Sequence, residues 1–252
     1  MNQRADNGSL AGRVLGPADV DNALRLSTDV VVVGTGAGGA MVAHELSRAG
    51  HRVVAIERGA FLPPEAMTQR EEEMIPQLFA ESGARATADL AITVLQGKGL
   101  GGSTLHNTNV CKRLPRALLD RWEADFGLTF DGLTDDFDAV EQLLGVRPFD
   151  PDEVNANNQV LWRGIRRLGY AGGLLWHNRD ARCQKSGFCE LGCAYNGKMN
   201  ALRVLVPPAA EAGATFLTHA RADTITTEGS KATVVTGAFV APGRTSPAGT
   251  FT

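Results

Sequence analysis

Between Asp29 and Glu57 the pattern of apolar and polar positions changes period twice. Val30 to Val33 is a continuous β-branched run, which predicts a strand buried on both faces, as in a parallel sheet. Met41, Val42, Leu46 and Ala49 then recur at helical spacing, and Gly50 is a helix stop. Arg52 to Ile56 turns apolar again and predicts a second strand, ending on the acid Glu57. Strand, helix and strand in this order form a β–α–β unit with parallel strands.

The rest of the chain reads less sharply. Residues 1–27 are polar and glycine-bearing, with a short amphipathic piece at 20–26, and are expected to form an arm that packs on a domain or frays. A helix is predicted to reach Leu78, with Arg70, Glu71, Glu72 and Glu73 on its solvated face. Leu90 to Leu95 is expected to be a strand. Helices are expected over Arg116–Phe126, Leu133–Leu144 and near Asn158–Leu168, with Trp122, Trp162 and Trp176 as core or helix-packing residues. Beyond Pro207-Pro208 come a helical stretch, strands at Thr215–Leu217 and Ala220–Thr226, and a hairpin whose first arm is Lys231–Val240.

Chemistry enters with the glycines between the first strand and the helix. Gly34, Gly36 and Gly39 fit G-x-G-x-x-G. Gly34 permits the tight turn, Gly36 lets the backbone approach a pyrophosphate, and Gly39 lets the helix pack closely on the sheet. Free N–H groups and the positive end of the helix dipole then face the phosphates. Glu57 follows at close to the ~20 residues expected of an acid that binds a ribose hydroxyl, and its charge disfavours a 2′-phosphate. These residues predict a dinucleotide site and leave FAD and NAD both open.

Composition narrows the classes. The chain has 252 residues, 43% hydrophobic, enough for one large α/β domain or two small ones. A net charge of −3 gives no electrostatic case for nucleic acid. No apolar run approaches the ~20 residues of a membrane span, and the N-terminus lacks a secretory pattern, so cytoplasmic placement is expected.

A second glycine cluster runs from Gln96 to Asn107, QGKGLGGSTLHN. Such a loop exposes N–H groups and lets backbone pass beside a flat ring or an anion. Lys98 precedes the glycine pair, so a Walker A loop does not fit. GTGAGGAMVAHELSRAGHRVVAIERG followed by VLQGKGLGGSTLHNTNV resembles the N-terminal half of the glucose–methanol–choline (GMC) oxidoreductase family. The resemblance implies FAD as cofactor, a Rossmann-like FAD/NAD(P)-binding fold of the α/β class, a helical insertion and a β-hairpin. It implies that the first motif, with Gly34, Thr35, Gly36, Gly39, Glu57 and Arg58, holds the ADP part. The second, with Gly101, Gly102, Ser103 and Asn107, would run beside the isoalloxazine ring, and Ala222 would meet the adenine. His106 and Cys111 depart from the residues usual in the family.

The same resemblance implies an arm at 1–27, a first part of the FAD-binding domain at 28–113, a helical and cysteine-containing insertion at 114–199, and a second part at 200–252. Family members are roughly twice as long and carry their catalytic base near the C-terminus, so this sequence is expected to be a fragment. His44, His51, His106, His177 and His219 read as non-catalytic; His177 beside Asn178 is a tempting proton-transfer pair without further support.

Cys183, Cys189 and Cys193 cluster among glycines. Zinc would need a fourth ligand, and a cubane cluster four thiolates. The segment resembles one that in flavin-linked sugar dehydrogenases holds a three-iron cluster, and that many other branch members keep without a demonstrated cluster. An iron–sulfur cluster and plain packing stay open here.

The expected function is therefore the FAD-binding portion of an alcohol oxidase or dehydrogenase. It would oxidise the CH–OH group of an alcohol, sterol or sugar, and would pass electrons on, to an acceptor protein among other options. The alternative is a non-catalytic nucleotide-binding fragment or subunit. An NAD-dependent dehydrogenase fits less well, because there are two glycine-rich loops and no Tyr-x-x-x-Lys pair.

Overall fold

A computed structural model describes residues 10–240 and 247–252. The described chain divides into two compact units, one comprising the residues up to 107 with 184–196 and those from 200 onward, the other 108–183 with 197–199. No helix among the described residues is long and apolar enough to cross a membrane.

The first unit begins with two short strands, β1 (Val14–Leu15) and β2 (Ala23–Leu24), followed by β3 (Val30–Val33), the helix α1 (Ala37–Arg48) and β4 (Val53–Ile56). β3 and β4 pair in parallel, Val30 opposite Val53 through Val33 opposite Ile56. The β–α–β unit is present, with two corrections. β4 is buried throughout, but β3 is the edge strand of its sheet, and Val33 is 56% exposed. A run of valines marks a strand; whether both faces are covered depends on neighbours the run does not encode. In α1 the buried face is Ala40, Ala43, His44 and Ser47, while Val42 is exposed. Apart from His44 the buried residues are small, which lets the helix axis approach the sheet closely. Gly50, at φ +92°, ends the helix in the left-handed conformation that glycine adopts without strain.

α2 (Glu71–Leu78) has the expected charged first turn, favoured by the helix dipole, and buries Met74 and Leu78. Leu90 to Leu95 does not form a strand. An isolated bridge joins Ala86 to Thr93, and Leu90 is 80% exposed at φ +60°. Its apolar residues have no sheet to join.

In the second unit β5 (Val110–Cys111), β6 (Val146–Pro148) and β7 (Trp176–Asn178) form an antiparallel sheet in the order β5-β7-β6. Its helices are α3 (Arg116–Phe126), α4 (Leu133–Leu143) and α5 (Ala156–Arg167), all at predicted places. Asn155 caps α5 by accepting from the Asn158 N–H at 2.9 Å. Trp122 and Trp162 are partly buried, but Trp176 is exposed rather than in a core.

The chain returns to the first unit through α6 (Ala201–Val204) and α7 (Val206–Glu211), which packs against α1. β8 (Thr215–Leu217) then enters between β1 and β4, giving a parallel sheet ordered β1-β8-β4-β3. β9 (Ala220–Glu228) and β10 (Lys231–Phe239) pair antiparallel as a hairpin that was not expected. The return arm of the expected one is β11 (Gly249–Phe251), antiparallel to β10, and β2 joins β11 in parallel. The turn expected between β10 and β11 falls partly on residues 241–246, outside the described residues. The described part of the expected arm is thus woven into both sheets.

Two apolar clusters hold the unit. One lies around Phe216, Met74, Leu78 and Leu105, the other around Ile56, Leu217, Phe239 and Phe251. Fully buried Phe216 and Phe239 contribute roughly 1.5–3 kcal/mol each.

Candidate functional site

The ends of β3 and β4, the start of α1 and the loop 97–105 converge within the first unit. Each glycine of the first motif is required for a different reason. Gly34 has φ +90°. Gly39 packs so closely that an added Cβ would lie 1.9 Å from the Gly34 carbonyl oxygen. Gly36 caps α1 with extended backbone and no side-chain hydrogen bond, and a Cβ there would meet nothing within 4 Å. The space over Gly36, at the positive end of the helix, is open.

The second glycine loop folds directly onto the first. Gly99, Gly101 and Gly102 have φ of +123°, +109° and +55°, and a Cβ on Gly102 would lie 2.6 Å from the Gly36 Cα. Ser103 Oγ accepts from the Gly97 N–H at 2.8 Å and fixes the loop's start.

Glu57 is buried, at 6% exposure, and its carboxylate joins both loops. Oε2 accepts from the Thr35 N–H at 3.1 Å and from the Thr35 hydroxyl at 2.8 Å. Oε1 accepts from the N–H groups of Gly59 at 2.8 Å and Gly99 at 3.2 Å. The Gly101 N–H donates in turn to Thr35 Oγ1 at 3.3 Å. The acid expected to bind a ribose hydroxyl is already engaged by the protein's own backbone.

Around these loops lies a cleft of about 990 Å³, at the upper end of the ~300–1,000 Å³ usual for ligand pockets. Gly34, Thr35, Gly36, Glu57 and Arg58 line it, as do Gly102, Ser103 and Ala222. Three expected site residues stand back from it. Gly39 lies under α1, Gly101 turns its N–H to Thr35, and the exposed Asn107 donates its N–H to the Ser103 carbonyl at 3.1 Å. Arg58 and Lys98 bring positive charge to the cleft, suited to an anionic ligand.

His219 also lines the cleft, a residue read from sequence only as preceding a strand. Its backbone is left-handed, at φ +51°, and its N–H donates to the Gly59 carbonyl at 2.8 Å. Burial, and secondarily the Lys98 charge, hold its pKa below the usual histidine value. No local pattern announces that conformation. His106, where the family usually has an aliphatic residue, is buried with its ring centroid 4.0 Å from that of Phe79.

The tempting His177–Asn178 pair does not assemble. Successive residues of β7 face opposite ways. Asn178 is buried, donates to the Met199 carbonyl at 2.8 Å and accepts from the Cys111 thiol at 3.5 Å, while His177 stands edge-on to Phe149. Cys183 belongs to the second unit, Cys189 and Cys193 to the first. Among the described residues no group of three His, Cys, Asp or Glu side chains is arranged to hold a metal ion.

Residues 75–246 match the family described as GMC oxidoreductase, and residues 27–67 match one described as FAD binding domain. An uncharacterised GMC-type oxidoreductase of Mycobacterium tuberculosis is 33% identical over 78% of this chain and 32% of its own length. A long-chain-alcohol oxidase of Arabidopsis thaliana is 29% identical over 80% of this chain and 27% of its own. The chain thus spans about a third or less of the length of these curated relatives. Among solved structures, a formate oxidase of Aspergillus oryzae superposes with a TM-score of 0.57 at 15% identity, over 89% of this chain and 44% of that one, a likeness of fold.

Proposed function

The chain belongs to the GMC oxidoreductase family, and from that premise we propose that it supplies the FAD-binding part of an enzyme that oxidises the CH–OH group of a small-molecule alcohol. The observation that carries this reading is the open space over Gly36, bounded by two glycine loops in backbone contact. One glycine loop suffices for a nicotinamide dinucleotide. Two loops meeting in one cleft suit a longer ligand with a flat ring at its far end.

FAD, when bound, supplies the hydride acceptor. The chain's own residues bind and orient. Gly36 and the first N–H groups of α1 would hold the pyrophosphate, Arg58 and Lys98 would add positive charge, and the loop through Gly102 and Ser103 would bound the other end. Ala222, which lines the same cleft, would offer its backbone to the adenine. Removal of the alcohol's proton is assigned to no residue of this cleft. The alcohol class is supported by the name of the Arabidopsis relative; a chain alcohol is the substrate to try first.

The test is an anaerobic titration of the purified protein with a long-chain primary alcohol, followed in the visible spectrum. Bleaching of the oxidised flavin band is expected. A purified protein that carries no flavin and cannot be loaded with it defeats the reading.

A further inference from the structure

We propose that Thr35 is a positioning residue, which with Glu57 clasps the second glycine loop onto the first and thereby couples recognition of the two halves of the cofactor. The proposal rests on the FAD reading above only for its second part. Thr35 is fully buried, and its hydroxyl does two things at once. It donates its one proton to Glu57 Oε2 at 2.8 Å and accepts from the Gly101 N–H at 3.3 Å. A carboxylate can only accept, so Glu57 fixes the direction of that proton and turns a hydroxyl lone pair toward Gly101. The other carboxylate oxygen takes the Gly99 N–H at 3.2 Å. Two N–H groups of the second loop are therefore held by residues of the first unit's opening β–α–β segment, one directly and one through a hydroxyl.

Backbone bonds from the Lys98 N–H to the Leu78 carbonyl at 2.8 Å and from the Leu100 N–H to the Ala60 carbonyl at 2.9 Å also hold the loop, as do buried Leu100 and Leu105. They leave the N–H groups of Gly99 and Gly101 to Glu57 and Thr35. Gly99, Gly101 and Gly102 are all left-handed, a conformation glycine enters and leaves freely. Without Thr35 the Gly101 N–H, next to the Gly102 that meets Gly36, loses its anchor. A ligand confined to the first loop, such as ADP, does not depend on where the second loop lies. A dinucleotide that reaches both loops does.

The experiment uses the apo protein and its Thr35→Ser and Thr35→Val variants. Serine keeps the relay; valine keeps the shape and removes it. Amide hydrogen exchange reads the clasp without any ligand. Exchange at Gly101 is expected to quicken about tenfold or more in Thr35→Val, for the loss of about one buried hydrogen bond. It should stay near wild type in Thr35→Ser, with the interior of α1 unchanged in both. Calorimetric titration with ADP and with FAD reads the coupling. Thr35→Val should weaken FAD by about fivefold to tenfold more than it weakens ADP, and Thr35→Ser should restore the ratio. If the valine variant does not fold, Thr35→Ala repeats both measurements. Unchanged exchange at Gly101 overturns the clasp, and equal losses for ADP and FAD overturn the coupling. Wild-type protein that binds neither ligand, with the exchange effect intact, sinks the FAD reading and leaves the clasp standing.

Discussion

Gly36 and Gly102, far apart in the chain, meet backbone to backbone: a Cβ on Gly102 would stand 2.6 Å from the Gly36 Cα. Gly102 is therefore a glycine for the sake of the fold. Gly36 has nothing within 4 Å of its own missing Cβ, so the packing of the fold does not itself require a glycine there.

That difference separates two substitutions in the same motif. Gly36→Val should fold with near-normal circular dichroism yet retain no flavin, because its side chain fills the space the pyrophosphate needs. Gly39→Val should lose stability by about 1–3 kcal/mol or more, since its Cβ collides with the Gly34 carbonyl. Thermal melts and flavin content of both variants check this. Wild-type flavin occupancy in Gly36→Val would remove Gly36 from the site.

Glu57→Ala should lower the melting temperature of the apo protein before any cofactor is considered. It leaves the N–H groups of Thr35, Gly59 and Gly99 without their acceptor, each buried group costing roughly 1–3 kcal/mol. Glu57→Gln, which keeps an acceptor oxygen, should fall between the two. If apo Glu57→Ala melts like the wild type, the carboxylate acts on ligand alone.

The cleft histidine makes stability fall on the acid side. His219 has its pKa lowered in the fold, from 6.5, by burial first and Lys98 second. Below that value the unfolded chain takes up a proton that the folded state refuses, so stability declines as pH falls from about 6.5 toward the depressed pKa, and is unaffected above. His177, lowered by burial and Arg179, acts in the same direction. His219→Asn, whose side chain tolerates positive φ, should flatten the fall. Melting temperatures at pH 7.5, 6.5 and 5.5 measure it, and an unaltered slope in the variant would clear His219 of the effect.

Legibility along the sequence followed the range of the physics. The first glycine motif, α3, α4, α5 and the strands β8, β9 and β10 rest on local rules of turn, cap and period, and they appear where those rules put them. Leu90–Leu95 and Trp176 were misjudged for the opposite reason. Their apolar character is local, but a partner to pack against is not. The facing of α1 was offset because burial there selects small side chains, which a hydrophobicity pattern counts for little.

Taken alone, the order of residues from Val30 to Glu57 determined that a strand, a glycine turn, a helix and a second strand would follow one another, and that a phosphate-bearing ligand would suit the turn. Sequence spacing also marked Gly97 to Ser103 as a second backbone-exposing loop. Only the tertiary structure decided that the two loops touch, that Glu57 spends its oxygens on Thr35, Gly59 and Gly99, and that His219 enters the cleft in a left-handed conformation. Hydrogen bonds of a few ångströms between residues such as Glu57 and Gly99 depend on how β4 and the loop are brought together. That placement comes from the whole core around Phe216 and Leu105, which no window of the sequence contains.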